Sequence, residues 1–192
     1  MSDVQQPRDQ VGVAPPQPGD RLGQARMARM IRVDHAGEYG AERIYAGQIA
    51  VLGNTPIGDL LRHMKEQETH HKETFSGLVV KRRVRPTALL PIWHVAGFAL
   101  GAVTAAMGKR AAMACTVAVE EAIDEHYSEQ AASLSDEDEP ELRATIERFR
   151  LEELEHREIG LENEAELTPG YRVLSRVIKA GCKVAIAVSE VV

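Results

Sequence analysis

One pattern of chemistry-bearing residues occurs in two copies, and it narrows the folds open to this chain. Glu38 is followed 30 residues later by Glu68-Thr-His-His71, and Glu120 is followed 33 residues later by Glu153-Leu-Glu-His156. Residues three apart lie on one face of an α-helix about a turn apart, so Glu68 and His71 can address one ion, as can Glu153 and His156. A lone glutamate from each of two helices, joined by a Glu-x-x-His from each of two others, is the ligand set of a dinuclear carboxylate site in a four-helix bundle.

Charge decides whether such a set is tolerable. Four carboxylates buried together repel one another, and some must take up protons unless cations are present. Two divalent ions would neutralise them. Carboxylate and imidazole donors suit iron or manganese, and the motif contains no thiolate. In this reading Glu68 and Glu153 bridge the ions, Glu38 and His71 complete one shell, and Glu120 and His156 complete the other. A single Glu-x-x-His on a Glu-rich helix is usually a solvated face, and His63, His70, Glu66, Glu73, Glu152, Glu155 and Glu158 are read that way. The pairing of two copies carries the metal reading. Met64, Phe75, Ile146 and Phe149 fall in register to make a dry shell around it. Asp34, one turn before Glu38, is placed to accept the free ring N–H of a ligating histidine, a surface or capping aspartate being the alternative. Tyr127 lies on the face of Glu120 two turns on. It is placed to pass electrons or protons or to bond a substrate, against the alternative of a packed tyrosine with its hydroxyl satisfied. His126 adjoins it but points elsewhere.

The rest of the chain reads as helix. Strict strand alternation is nearly absent, aromatics are 4% of residues, and charged residues are 27%. Helices are expected from about 22 to 52, from Pro56 to Val80 with Thr55 as N-cap, from 109 to 134, from Pro140 to about Glu164, and from Tyr171 to the end. Ser135 to Glu139 is expected to be an acidic loop. Residues 1–23, with Pro7, Pro15, Pro16 and Pro18, are read as a flexible arm and 24–192 as a single domain. The arm has neither a signal-type apolar core nor the acid-free composition of a presequence. Two helix pairs joined by a long apolar crossover give an all-α, ferritin-like four-helix bundle with internal duplication, plus the crossover helix and a C-terminal amphipathic helix. A net charge of −6 argues against nucleic acid as a partner. Cys115 and Cys182 form no C-x-x-C, and two isolated thiols fit a reducing compartment.

Thr87 to Met107 carries no formal charge over 21 residues. That is the threshold for spanning a bilayer, but Pro91, Trp93, His94, Gly97, Gly101 and Thr104 dilute it. Lys81, Arg82, Arg83 and Arg85 precede it and would attract anionic headgroups. The last helix sets Arg172, Arg176, Lys179 and Lys183 against Leu174, Val177, Ile178, Val184, Ala185, Val188 and Val191, an interfacial pattern. Attachment to a membrane surface is expected, against the alternative that these two helices pack on each other or on another chain. A greasy substrate follows, its tail lying near Trp93 and Phe98.

The segment Arg32-Val-Asp-His-Ala-Gly-Glu38-Tyr-Gly-Ala41, with Ile44-Tyr-Ala-Gly-Gln48, resembles the first-helix signature of the demethoxyubiquinone hydroxylase family. Ala114-Cys-Thr-Val-Ala-Val-Glu120-Glu121, Glu152-Glu-Leu-Glu-His156 and Ala180-Gly-Cys-Lys-Val-Ala-Ile186 with Ser189-Glu190 match its later helices, so the resemblance covers about Arg26 to Val192. It implies a monooxygenase of ubiquinone biosynthesis that hydroxylates the ring of 2-polyprenyl-3-methyl-6-methoxy-1,4-benzoquinol. It further implies two iron ions held by Glu38, Glu68, His71, Glu120, Glu153 and His156, with dioxygen as co-substrate and NADH as reductant. His126 and Tyr127 match a pair implicated in electron transfer in that family. No dinucleotide-binding glycine motif is present, so any NADH site is informal or supplied by a partner. The implied place is the cytoplasmic face of a bacterial inner membrane, or the matrix face of the mitochondrial one. Other ubiquinone-biosynthesis proteins or a second copy of the chain are the implied partners. The alternatives are a ferritin-like ferroxidase or peroxidase, and a non-catalytic prenyl-quinone carrier or scaffold.

Overall fold

The computed structural model describes residues 22–134 and 139–192. Residues 1–21 of the expected arm, and 135–138 of the expected acidic loop, lie outside the described residues. Among the described residues there are six α-helices and one short 3-10 turn, with no strand. They are α1 (Leu22–Leu52), α2 (Gly58–Lys81), α3 (Leu90–Ala106), α4 (Lys109–Ser133), α5 (Pro140–Glu162) and α6 (Tyr171–Val191). Helices α1, α2, α4 and α5 form the ferritin-like bundle, α3 is the crossover between the two hairpins, and α6 returns along α4 and α1.

The breaks fall where the sequence places its punctuation, with local differences. Thr55 is not the N-cap of α2: its hydroxyl donates to the Leu52 carbonyl at 2.6 Å, closing the end of α1 instead. The helix begins two residues after Pro56, behind Ile57. Pro140 is the first residue of α5, where its missing N–H costs nothing. Helix α5 stops at Glu162, and Ala165–Leu167 forms the 3-10 turn that leads to α6.

One stripe of α2 carries Leu61, Met64, Glu68, His71, Phe75 and Val79, all buried. This is 3.6-residue periodicity in which two polar residues interrupt an apolar seam. On α5 the stripe is Leu142, Ile146, Phe149, Glu153 and His156. A polar layer therefore lies between two apolar ones. One holds Phe75, Tyr127, Ile146 and Phe149. The other holds Tyr45, Leu61, Met64, Met113 and Val117. The four residues expected to form the dry shell, Met64, Phe75, Ile146 and Phe149, are each fully buried.

Helix α3 lies against α1 backbone to backbone. A Cβ at Gly101 would collide with the Ile44 carbonyl, and one at Gly97 would come within 2.8 Å of the Gly40 carbonyl. Those glycines, which weaken the segment as a membrane span, are what let it pack this closely. No helix among the described residues is long and apolar enough to cross a membrane.

Candidate metal centre

All six residues of the doubled pattern meet at the middle of the bundle. Glu38, Glu68, His71, Glu120, Glu153 and His156 are each no more than 1% exposed. Glu38, Glu68, His71 and Glu153 bring one donor atom apiece within 4.8 Å of one another, and so do Glu68, Glu120, Glu153 and His156. The two sets share Glu68 and Glu153, the pair read as bridging. His71 Nδ1 lies 3.1 Å from Glu153 Oε1 and 3.5 Å from Glu38 Oε2. His156 Nδ1 lies 3.1 Å from Glu68 Oε1 and 3.3 Å from Glu153 Oε2.

These atoms surround a common centre without bonding to one another. Glu38 Oε2, both oxygens of Glu68 and of Glu153, Glu120 Oε2, and Nδ1 of His71 and His156 are all buried with no hydrogen-bond partner. Orphaned polar atoms in a protein interior are costly. Eight of them aimed at one place fit a pair of cations better than any other occupant, and the oxygen and imidazole chemistry suits iron or manganese. Without cations the cluster must neutralise itself. Burial and the Glu153 charge push Glu68 and Glu120 well above the usual carboxylate range. Burial likewise raises Glu38. Against its burial, His71 is driven up to about 12 by the carboxylates of Glu153 and Glu38.

The remaining ring nitrogens face outward to fixed acceptors. His71 Nε2 donates to Glu152 Oε2 at 2.6 Å, and His156 Nε2 donates to Gln67 Oε1 at 2.9 Å. Both bonds select the tautomer that leaves Nδ1 free to face the centre. Glu152 is therefore not a solvated residue, because its carboxylate turns inward to the imidazole of the opposite hairpin. Nor does Asp34 serve a ligating histidine. It is buried, and Oδ1 accepts from Gln130 Nε2 at 2.7 Å and lies 3.2 Å from His126 Nε2. His126 thus does have a directed role, pairing with Asp34, which offsets burial and raises its pKa. Tyr127 is buried and its hydroxyl donates to Glu38 Oε1. His63, His70, Glu66, Glu73, Glu155 and Glu158 are exposed as expected.

Tyr45 was missed by the sequence reading. Its hydroxyl donates to Glu120 Oε1 at 2.8 Å, the counterpart of Tyr127 on Glu38. The signal is present in the chain: Glu38, Tyr45 and Gln48 have the spacing of Glu120, Tyr127 and Gln130. Gln48 in turn donates to the Ala112 carbonyl at 3.1 Å, as Gln130 does to Asp34. The duplication thus extends beyond the ligands to the groups that hold them.

A cavity of about 400 Å³ opens beside this centre between α3 and α6. Its floor includes Gly37, Gly40 and Ala41 of α1 with Val119 and Ile123 of α4, next to Glu38 and Glu120 in sequence. Trp93 and Ile186 line its walls, and Trp93 Nε1 donates to Ser189 Oγ at 3.0 Å, tying α3 to α6. Phe98 is not part of it and lies under the Arg43 guanidinium, 5.2 Å from ring centre to carbon. Cys182 lines the cavity, and burial pushes its thiol up to about 11, which keeps it protonated. Ile92, Val95 and Val103 of α3, Met107 just after it, and Val173, Val184 and Val191 of α6 are exposed. The basic face of α6 is divided: Lys179 and Lys183 pair with Glu121 and Glu125 of α4, leaving Arg172 and Arg176 exposed. Arg82 is likewise engaged with Glu139 at 2.6 Å.

Residues 25–189 match the family described as "Ubiquinone biosynthesis protein COQ7". The chain belongs to that family. It is 58% identical over 174 residues to a "3-demethoxyubiquinol 3-hydroxylase" of Rhodospirillum rubrum, covering 90% of this chain and 82% of that one. It is 56% identical over 174 residues to the human "NADPH-dependent 3-demethoxyubiquinone 3-hydroxylase, mitochondrial", covering 89% and 80%. With the yeast Saccharomyces cerevisiae "5-demethoxyubiquinone hydroxylase, mitochondrial" the identity is 41% over 182 residues, covering 86% and 78%. Members of this family so named share hydroxylation as their stated activity.

Proposed function

We propose that this chain is a di-iron monooxygenase that hydroxylates 2-polyprenyl-3-methyl-6-methoxy-1,4-benzoquinol at its unsubstituted ring carbon. The observation that carries the reading is the convergence of eight buried, unpartnered donor atoms from the six residues of the doubled pattern. Glu38, Glu68, His71, Glu120, Glu153 and His156 would hold two iron ions, with Glu68 and Glu153 shared between them. When bound, the iron pair supplies the activation of dioxygen that an aromatic hydroxylation requires.

The protein's own residues bind, orient and exclude. The cavity between α3 and α6 would take the quinol and its tail, its apolar walls fixing the ring and keeping out water. Small residues at Gly37, Gly40 and Ala41 keep α1 thin where it separates that cavity from Glu38. Tyr127 on Glu38, with His126 beside it on Asp34, would carry protons or electrons between the surface and the centre. The human relative's name specifies NADPH where the resemblance implied NADH. Both deliver the same hydride equivalent, and a reduced nicotinamide is proposed as the electron source. The exposed apolar residues of α3 and α6 would rest on a membrane surface, from which a polyprenyl substrate could enter.

The test uses iron-loaded protein, a reduced short-chain demethoxyquinol and labelled dioxygen. One labelled oxygen atom in the ring is the expected result, and Glu153→Gln is expected to lower both iron content and turnover. Iron oxidation without a ring hydroxyl would instead mark a ferroxidase and overturn the proposal.

A further inference from the structure

The internal duplication reproduces the four glutamates, two histidines and two tyrosines of the centre, but it breaks at the residues that hold the two histidines. Gln67 immediately precedes Glu68, and Glu152 immediately precedes Glu153, so they are equivalent positions of the two copies. Each reaches across to the histidine of the other copy. One is a neutral amide and the other a carboxylate, while the four glutamates, two histidines and two tyrosines around them match.

Resting on the dinuclear reading above, we propose that Glu152 and Gln67 are positioning residues that make the two halves unequal, the half built on Glu38 and His71 holding its divalent cation more tightly. Both partners fix the same tautomer, so the geometry of Nδ1 is similar in the two halves. They differ in how much electron density they push through the ring. A carboxylate accepting the Nε2–H makes a charge-assisted bond, shorter and stronger than one to a neutral amide. The distances follow that order, 2.6 Å to Glu152 against 2.9 Å to Gln67. The imidazole so held is the more basic donor at Nδ1, and such partners typically change metal affinity by about 10–100-fold. Both histidine rings are fully buried, and the Glu152 side chain is 30% exposed, so solvent reaches only the outer end of the bond.

The experiment titrates metal-free protein with Co²⁺, followed by calorimetry and by the visible absorption of the ion. Wild type is expected to take up two ions in separated steps. Mutual repulsion of the ions also separates steps, so the variants carry the test. Glu152→Gln should weaken the tighter step by about 10-fold or more. Gln67→Glu should strengthen the weaker step, so each single change narrows the gap. The double variant, Gln67→Glu with Glu152→Gln, moves the carboxylate to the other half and should restore the gap. Glu152→Asp, which keeps the charge, should stay close to wild type and serves as a second probe should Glu152→Gln fold poorly. An unchanged gap in both single variants, or no restoration in the double, overturns the proposal. Failure of wild type to bind Co²⁺ at all would overturn the dinuclear reading itself, and this inference with it.

Discussion

Tyr45 and Tyr127 each give a buried carboxylate one of its few hydrogen bonds, to Glu120 and Glu38 respectively. Phenylalanine at either position leaves a buried carboxylate oxygen without its donor, at a cost of ~1–3 kcal/mol. For a chain of this length each kcal/mol is roughly 2–4 °C in melting temperature. Tyr45→Phe and Tyr127→Phe are therefore expected to lower the melting temperature of the metal-free protein by similar amounts. A drop confined to one of them would show that the two positions are not equivalent. At this scale the sequence was legible where a residue acts through its own helix and register. Glu68 and His71 share a face by spacing alone, and so do Met64 and Phe75. It was not legible where the partner comes from another helix. Glu152 sits on a Glu-rich run and looks solvated until α2 brings His71 to within 2.6 Å. The partners of Asp34, His126 and Gln130, are hidden for the same reason, because spacing along α1 says nothing about what α4 presents to it. Tyr45 was open to discovery, since its offset from Glu38 repeats that of Tyr127 from Glu120.

The helices themselves were almost fully readable, because caps, prolines and apolar periodicity are local. The one cap misread, Thr55, bonds backward to Leu52 instead of forward, a choice that a hydroxyl can make with either neighbouring turn. The crossover is the element whose character the sequence left open, and its glycines explain it. Gly97 and Gly101 let α3 touch the backbone of α1, and they do so where α3 forms one wall of the cavity. Gly101→Ala should push the two helices apart, with a destabilisation of ~1–3 kcal/mol from overpacking. Thermal melts should show this, and the variant should also alter quinol binding, measured as KM for the short-chain substrate. Wild-type melting and KM in the Gly101→Ala variant would mean that α3 is free to move outward at no cost.

Across the whole molecule, most of the large exposed apolar residues lie on α3 and α6, the two helices that wall the cavity. Val95 on α3 and Val184 on α6 are 66% and 62% exposed. If these helices rest on lipid, Val95→Asp and Val184→Asp should each weaken partition onto anionic vesicles by roughly tenfold, the worth of one buried valine. Binding by vesicle sedimentation that is unchanged in both variants would place the contact elsewhere. The candidate metal centre has a different relation to the whole. Every bond that holds one of its members in place runs from one helical hairpin to the other: Tyr127 to Glu38, Tyr45 to Glu120, Glu152 to His71 and Gln67 to His156. Neither hairpin completes anything by itself. A nascent chain leaving the ribosome therefore has no finished site after its first half has emerged, and the six residues can meet around a cation only once synthesis has delivered α5.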